Sequence, residues 1–84
     1  MHDSEIPDRE YCLASVEDLG RAVRAARKAA GLDQKDAAGL AGVGLRFLSD
    51  LENGKPTVRM DKVMRVVAVL GLELRVQPRR ARYE

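Results

Sequence analysis

The chain reads as an all-α domain of four or five short helices followed by a single C-terminal β-strand. Three observations predict this. Apolar residues recur at helical spacing in four successive segments. Four glycines (Gly31, Gly42, Gly54 and Gly71) stand just past the ends of those segments, where a left-handed residue closes a helix. After Gly71 the period changes to strict alternation, which is the pattern of a strand.

The first helix is expected after Ser15. Ser15-Val16-Glu17-Asp18 resembles a capping box with Asp18 in the usual Glu or Gln position. The helix runs to about Ala30, with Leu19, Ala22, Val23, Ala26 and Ala30 along one face. Asp33 caps a second helix, Gln34 to Ala41, which is rich in alanine. Gly42-Val43-Gly44 breaks the chain, and a third helix spans Leu45 to Glu52 with Leu48 and Leu51 inward. A loop around Pro56 leads to a fourth helix from Met60 to about Leu70, whose predicted stripe is Val63, Met64, Val67 and Leu70. Gly20 and Gly39 fall inside helices, where each costs about 1 kcal/mol against alanine. They mark either close helix contacts or tolerated positions.

Leu72, Leu74 and Val76 alternate with Glu73, Arg75 and Gln77 until Pro78 stops the pattern. A lone strand leaves its backbone groups unpaired. Either it pairs with the same strand of a second copy across a two-fold axis, or the segment around Tyr11 to Ala14 supplies a partner, or it is an extended tail. The first is the economical reading. A chain of 84 residues buries only about 60–65% of its unfolded surface and gains from a shared core. The expected organisation is therefore an arm (1–14), a helical domain (15–71), a dimerisation strand (72–78) and a basic tail (79–84).

The formal net charge of +2 hides an asymmetry. Residues 1–18 hold six acids and one base, a balance of −5, whereas the remainder holds fourteen bases and seven acids, a balance of +7. A basic body is compatible with nucleic acid. Cys12 and His2 are the only cysteine and histidine. They supply neither a disulfide nor the ligands of a thiolate or imidazole metal site, and Cys12 is expected to be half-buried. No convergent acid–base set suggests an enzyme, and no cofactor is expected. No apolar run approaches the ~18 residues of a membrane helix, and the acidic N-terminus does not resemble a signal peptide. The expected location is cytoplasmic.

Two short helices joined by a three-residue turn make a helix-turn-helix, whose second helix can enter the major groove. The residues extend this. Gly31-Leu32-Asp33-Gln34, Ala38, Gly42-Val43, Leu48-Ser49 and Leu51-Glu52-Asn53-Gly54-Lys55 closely resemble the Cro/C1-type (XRE) family, which has a lambda-repressor-like fold. The likeness covers about residues 19–71. Two positions depart from the family pattern: Asp33 stands for Thr, and Gly44 for the Ser that caps the recognition helix.

The resemblance implies double-stranded DNA as partner, with an operator of two-fold symmetry matching a homodimer. Gln34 matches the residue that holds a phosphate. Gly44, Leu45, Arg46, Ser49 and Asp50 match the base-facing row. Arg46 suits guanine, whose O6 and N7 take a bidentate guanidinium. Leu45 suits a thymine methyl, and Asp50 a cytosine amine. Asn53 and Lys55, with Arg59 just beyond, match the loop that grips the backbone. Arg27 and Glu52 match a structural ion pair. Dimerisation falls to Leu72, Leu74 and Val76. The stretch from Leu19 to Pro78 also looks like HipB-type antitoxins, implying a repressor that autoregulates its operon and neutralises a HipA-type kinase toxin. A stand-alone, phage-type repressor and a protein-interaction adaptor that no longer binds DNA are the alternatives.

Overall fold

The computed structural model describes residues 11–79. Four α-helices appear among them: α1 (Val16–Ala29), α2 (Gln34–Ala41), α3 (Leu45–Glu52) and α4 (Met60–Val69). Most of these lengths fall short of the ~12–15 residues at which an isolated helix becomes even marginal in water. Packing and end closure must therefore hold them.

Both predicted side-chain caps are present. The Ser15 hydroxyl accepts from the Asp18 amide at 3.1 Å. The Asp18 carboxylate reaches back one residue further than in the usual box and accepts from the Ala14 amide at 2.8 Å. That bond, with help from Arg21, holds the Asp18 carboxyl below the ordinary carboxylate range. Asp33 accepts from the Asp36 amide at 2.7 Å. Gly44 offers α3 no side-chain cap, so the departure from Ser leaves that bond unmade.

α1 packs on α3, and α2 packs on both α3 and α4. Val23, Leu48, Leu51, Val63 and Val66 are fully buried where these helices meet. The α1–α3 contact is close enough to require Gly20. A Cβ there would lie 2.5 Å from the Leu51 carbonyl oxygen and 2.7 Å from that of Glu52, whereas one at Gly39 would meet nothing within 4 Å. Of the two interior glycines, only Gly20 marks a helix contact.

Three expectations need correction. Ala30 is exposed, because the helix ends beneath it and it serves as the C-cap. Met64 is half exposed, and Val66 takes its place in the core. Cys12 is exposed rather than half-buried.

No strand ladder forms among the described residues. Yet the alternation begins as expected. Leu72 and Leu74 pack against the core, while Glu73 and Arg75 face outward with the Arg75 Nε 3.3 Å from the Glu73 Oε1. Val76 is fully exposed. These residues and the Tyr11 to Ala14 segment border an open groove of about 1090 Å³, floored by Leu19, Ala22 and Val67. Residues 1–10, most of the expected arm, and 80–84, nearly all of the basic tail, lie outside the described residues.

Candidate nucleic-acid interface

The interface is assembled on a buried frame. Arg27 of α1 and Glu52 of α3 are both buried and form a bidentate pair: Arg27 Nε donates to Glu52 Oε2 at 2.7 Å and Nη2 to Oε1 at 3.0 Å. Arg27 Nη1 donates in addition to the Leu32 carbonyl at 2.9 Å, in the loop before α2. The hydrogen bonds to Glu52 outweigh burial and raise the Arg27 pKa above its ordinary value. Two helices and the loop that leads into α2 are thereby tied at one point. This is the structural pair expected between the first and third helices.

Glu52 also orients a predicted DNA contact. Gln34, half-buried at the first position of α2, donates from Nε2 to Glu52 Oε1 at 3.0 Å. One amide hydrogen is engaged inward and the second stays available. The link joins residues 18 apart in sequence, and no local pattern announces it.

The outer row of α3 follows from its register. Leu48 and Leu51 turn inward, so Leu45, Arg46, Ser49 and Asp50 share the outer side. Leu45 is 51% exposed and the Arg46 side chain 90%. Ser49 and Asp50 are half-buried, and Gly44 at the N-cap is exposed. The i, i+4 spacing sets the Arg46 Nε 3.7 Å from Asp50 Oδ1. Asp50 Oδ2 lies 3.5 Å from the Lys55 ammonium. Phe47 packs on the core with the Lys62 ammonium 5.6 Å from its ring centroid, which makes it scaffold.

The turn after α3 is built on Gly54, at φ 80°. A Cβ there would meet the Glu17 side chain at 2.8 Å, so the site needs glycine both for conformation and for room. The turn leaves Asn53 and Lys55 exposed beside α3. Arg59 is exposed at the N-cap of α4 and is held by Asp61, with Nε and Nη2 donating at 3.1 and 2.6 Å. This contact lowers the Asp61 pKa and occupies one edge of the Arg59 guanidinium. Gln34, the α3 row and Asn53–Lys55 are therefore brought together around Glu52 and the α3 C-terminus, and Arg59 follows at the far end of the loop. The i, i+4 spacing of Arg46 and Asp50 is a signal for their contact that the sequence carries, whereas the Gln34–Glu52 bond has no local signal.

A curated relative from Sinorhizobium fredii, the uncharacterized HTH-type transcriptional regulator y4mF, is 51% identical over 57 residues, 68% of this chain and 75% of its own length. The family described as a helix-turn-helix domain matches residues 18–81. This chain belongs to the XRE-type helix-turn-helix family. Such a chain is a DNA-binding transcriptional regulator and not an enzyme. Solved structures agree on the fold of this XRE-type regulator. A HipB–O4 20mer complex aligns with TM-score 0.77 at 18% identity, covering 84% of this chain and 100% of that chain. The HipA–HipB–O2–O3 complex gives the same four values. A structure described as MDT protein likewise aligns with TM-score 0.77 at 18% identity over 84% of this chain. Among the described residues of this regulator, no helix is long and apolar enough to cross a membrane.

Proposed function

We propose that this regulator is a dimeric, sequence-specific repressor of the HipB type, which autoregulates its operon and neutralises a HipA-type kinase toxin. The observation that carries the DNA-reading half is the outer row of α3. Leu45, Arg46 and Ser49 face outward there, and Lys55 projects beside them from the following turn. Arg46 takes the role of base reader, with Leu45 and Ser49 completing the row from Gly44. Gln34, Asn53, Lys55 and Arg59 fix the register on the phosphates. The basic body supplies attraction that falls with salt.

The dimer is proposed from the C-terminal segment. Leu72 and Leu74 already lie on the core while Val76 projects freely beside an open groove. The same segment of a second copy can pair its backbone there and cover the apolar floor. The toxin partner rests on the likeness in fold to HipB within a HipA–HipB–O2–O3 complex.

Protection mapping on the DNA upstream of its own gene tests the reading. Two protected half-sites about 10 base pairs apart, or a multiple, are expected of a two-fold dimer. A single unpaired footprint sinks the dimeric arrangement, and binding that salt does not weaken sinks the DNA reading. Leu74→Pro is expected to shift sedimentation toward monomer. Co-purification with a kinase encoded beside it separates the antitoxin from a stand-alone repressor.

A further inference from the structure

All four helices end in one backbone device. The residue after each closing glycine donates its amide to a carbonyl five residues back: Leu32 to Arg27 at 3.2 Å, Val43 to Ala38 at 3.0 Å, Lys55 to Asp50 at 3.0 Å and Leu72 to Val67 at 2.9 Å. This Schellman closure commonly carries an apolar contact between the donating residue and the last turn. Leu32, Val43 and Leu72 conform, each packing against the core. Lys55 differs. It is exposed, and its ammonium lies 3.5 Å from the carboxylate of Asp50, the same residue whose carbonyl receives its amide. A charge contact thus replaces the apolar one at the end of the helix that carries the base-facing row.

The second oxygen of that carboxylate faces Arg46 at 3.7 Å, and it faces Nε. Guanine is read by the two terminal nitrogens of the guanidinium fork. A contact at Nε leaves the fork free. Both distances exceed a normal hydrogen bond, so the cations are restrained rather than captured. The Asp50 side chain is 27% exposed, against 90% for Arg46 and 51% for Lys55. The acid is recessed and the two bases project past it.

We infer that Asp50 is a positioning residue that couples the base reader to the backbone grip, rather than a reader of its own base. The inference rests on α3 being the helix that reads DNA. Restraint lowers the rotamer freedom that Arg46 and Lys55 lose on docking. The recessed charge also repels phosphates on every duplex alike, which lowers affinity without altering discrimination, so any gain in preference comes from the restraint on Arg46.

The test uses the full chain and a 20-base-pair duplex that it selects from a randomised pool. Each base pair of that duplex is then varied for wild type, Arg46→Ala, Asp50→Asn and the double variant. Asp50→Asn is expected to bind a scrambled duplex severalfold more tightly. It is also expected to relax preference by roughly threefold to tenfold at the same base pair that Arg46→Ala relaxes. The double variant then loses no further preference there, because the two effects share one path. A merely structural role would lower affinity for all duplexes without moving that preference. The inference is overturned if Asp50→Asn relaxes a different base pair additively with Arg46→Ala, which is the signature of direct readout. It is also overturned if Asp50→Asn leaves the preference at that base pair unchanged, whatever happens to scrambled-duplex affinity. Failure to select any duplex overturns the DNA-reading role of α3 itself, and the two failures are thereby distinct.

Discussion

Gly20→Ala and Gly39→Ala make the same chemical change in the same secondary structure and are expected to have opposite signs. In an unhindered helix the alanine gains about 0.5–1 kcal/mol through backbone entropy. Gly39 has that freedom, since an added Cβ meets nothing within 4 Å. At Gly20 the Cβ would stand 2.5 Å from the Leu51 carbonyl oxygen and 2.7 Å from that of Glu52. Neither atom can rotate away, because both belong to the α3 backbone, so α1 and α3 must part by about 0.5–1 Å. Overpacking of this kind costs about 1–3 kcal/mol, at the upper end where only backbone can yield. After the gain in propensity a net loss of about 2 kcal/mol remains. For a domain of this size each kcal/mol shifts Tm by about 4–8 °C. Gly20→Ala should therefore melt about 8–16 °C lower, and Gly39→Ala about 2–8 °C higher. Helical circular dichroism on heating measures both, at one protein concentration because the Tm of the proposed dimer would depend on it. A Gly20→Ala variant melting at or above wild type would refute the reasoning, since the close approach of α1 to α3 would then impose no constraint.

Other outcomes follow from the frame and the face. Glu52→Ala leaves the Arg27 guanidinium buried without its carboxylate, which costs about 3–5 kcal/mol; the variant should be largely unfolded at 37 °C by circular dichroism. Arg46→Ala should lose discrimination at one base pair by about 1–3 kcal/mol, whereas Lys55→Ala should weaken binding to every duplex and flatten the salt dependence. Equal loss on all operator variants would demote Arg46 to a phosphate contact. Asp18 and Asp61 both have folded pKa values below their unfolded ones. Their contribution is present above the unfolded value of about 3.9 and is lost as pH falls through the lower folded values. Acid denaturation of Asp18→Asn should begin from a lower stability and depend less on pH below about 4 than that of wild type.

The helix boundaries were legible where capping residues or closing glycines coincide with the ends of the apolar period. Ser15 and Asp33 open helices with side-chain bonds that the sequence spells out, and glycine follows each closing turn. The register of α4 was less legible. Met60, Val63, Met64, Val66, Val67, Ala68, Val69 and Leu70 put apolar residues on every side. A stripe through Met64 and one through Val66 therefore fit the helical period equally well, and packing against α2 chose Val66. Ala30 failed for a different reason: it continues the α1 face in period, but the helix stops beneath it. Within the interface, the row from Leu45 to Asp50 was implied by the family resemblance, and the inward turn of Leu48 and Leu51 puts it on the outer side. The Gln34–Glu52 bond was not implied, because it is made by tertiary packing between helices.

The position of Glu52 has a consequence for retargeting this regulator. Leu45, Arg46 and Ser49 take no part in the buried frame of Arg27, Glu52 and Leu32. They can be recoded for a new operator without loosening the scaffold. Gln34 cannot be treated so freely, since its amide shares an oxygen with the pair that ties two helices and the loop before α2. On the proposed reading specificity is thus separable from stability along α3, whereas Gln34, the residue proposed to hold a phosphate, is tied to the frame. A library that randomises the α3 row while leaving Gln34, Arg27 and Glu52 untouched should yield mostly folded members, each free to differ in the sequence it reads.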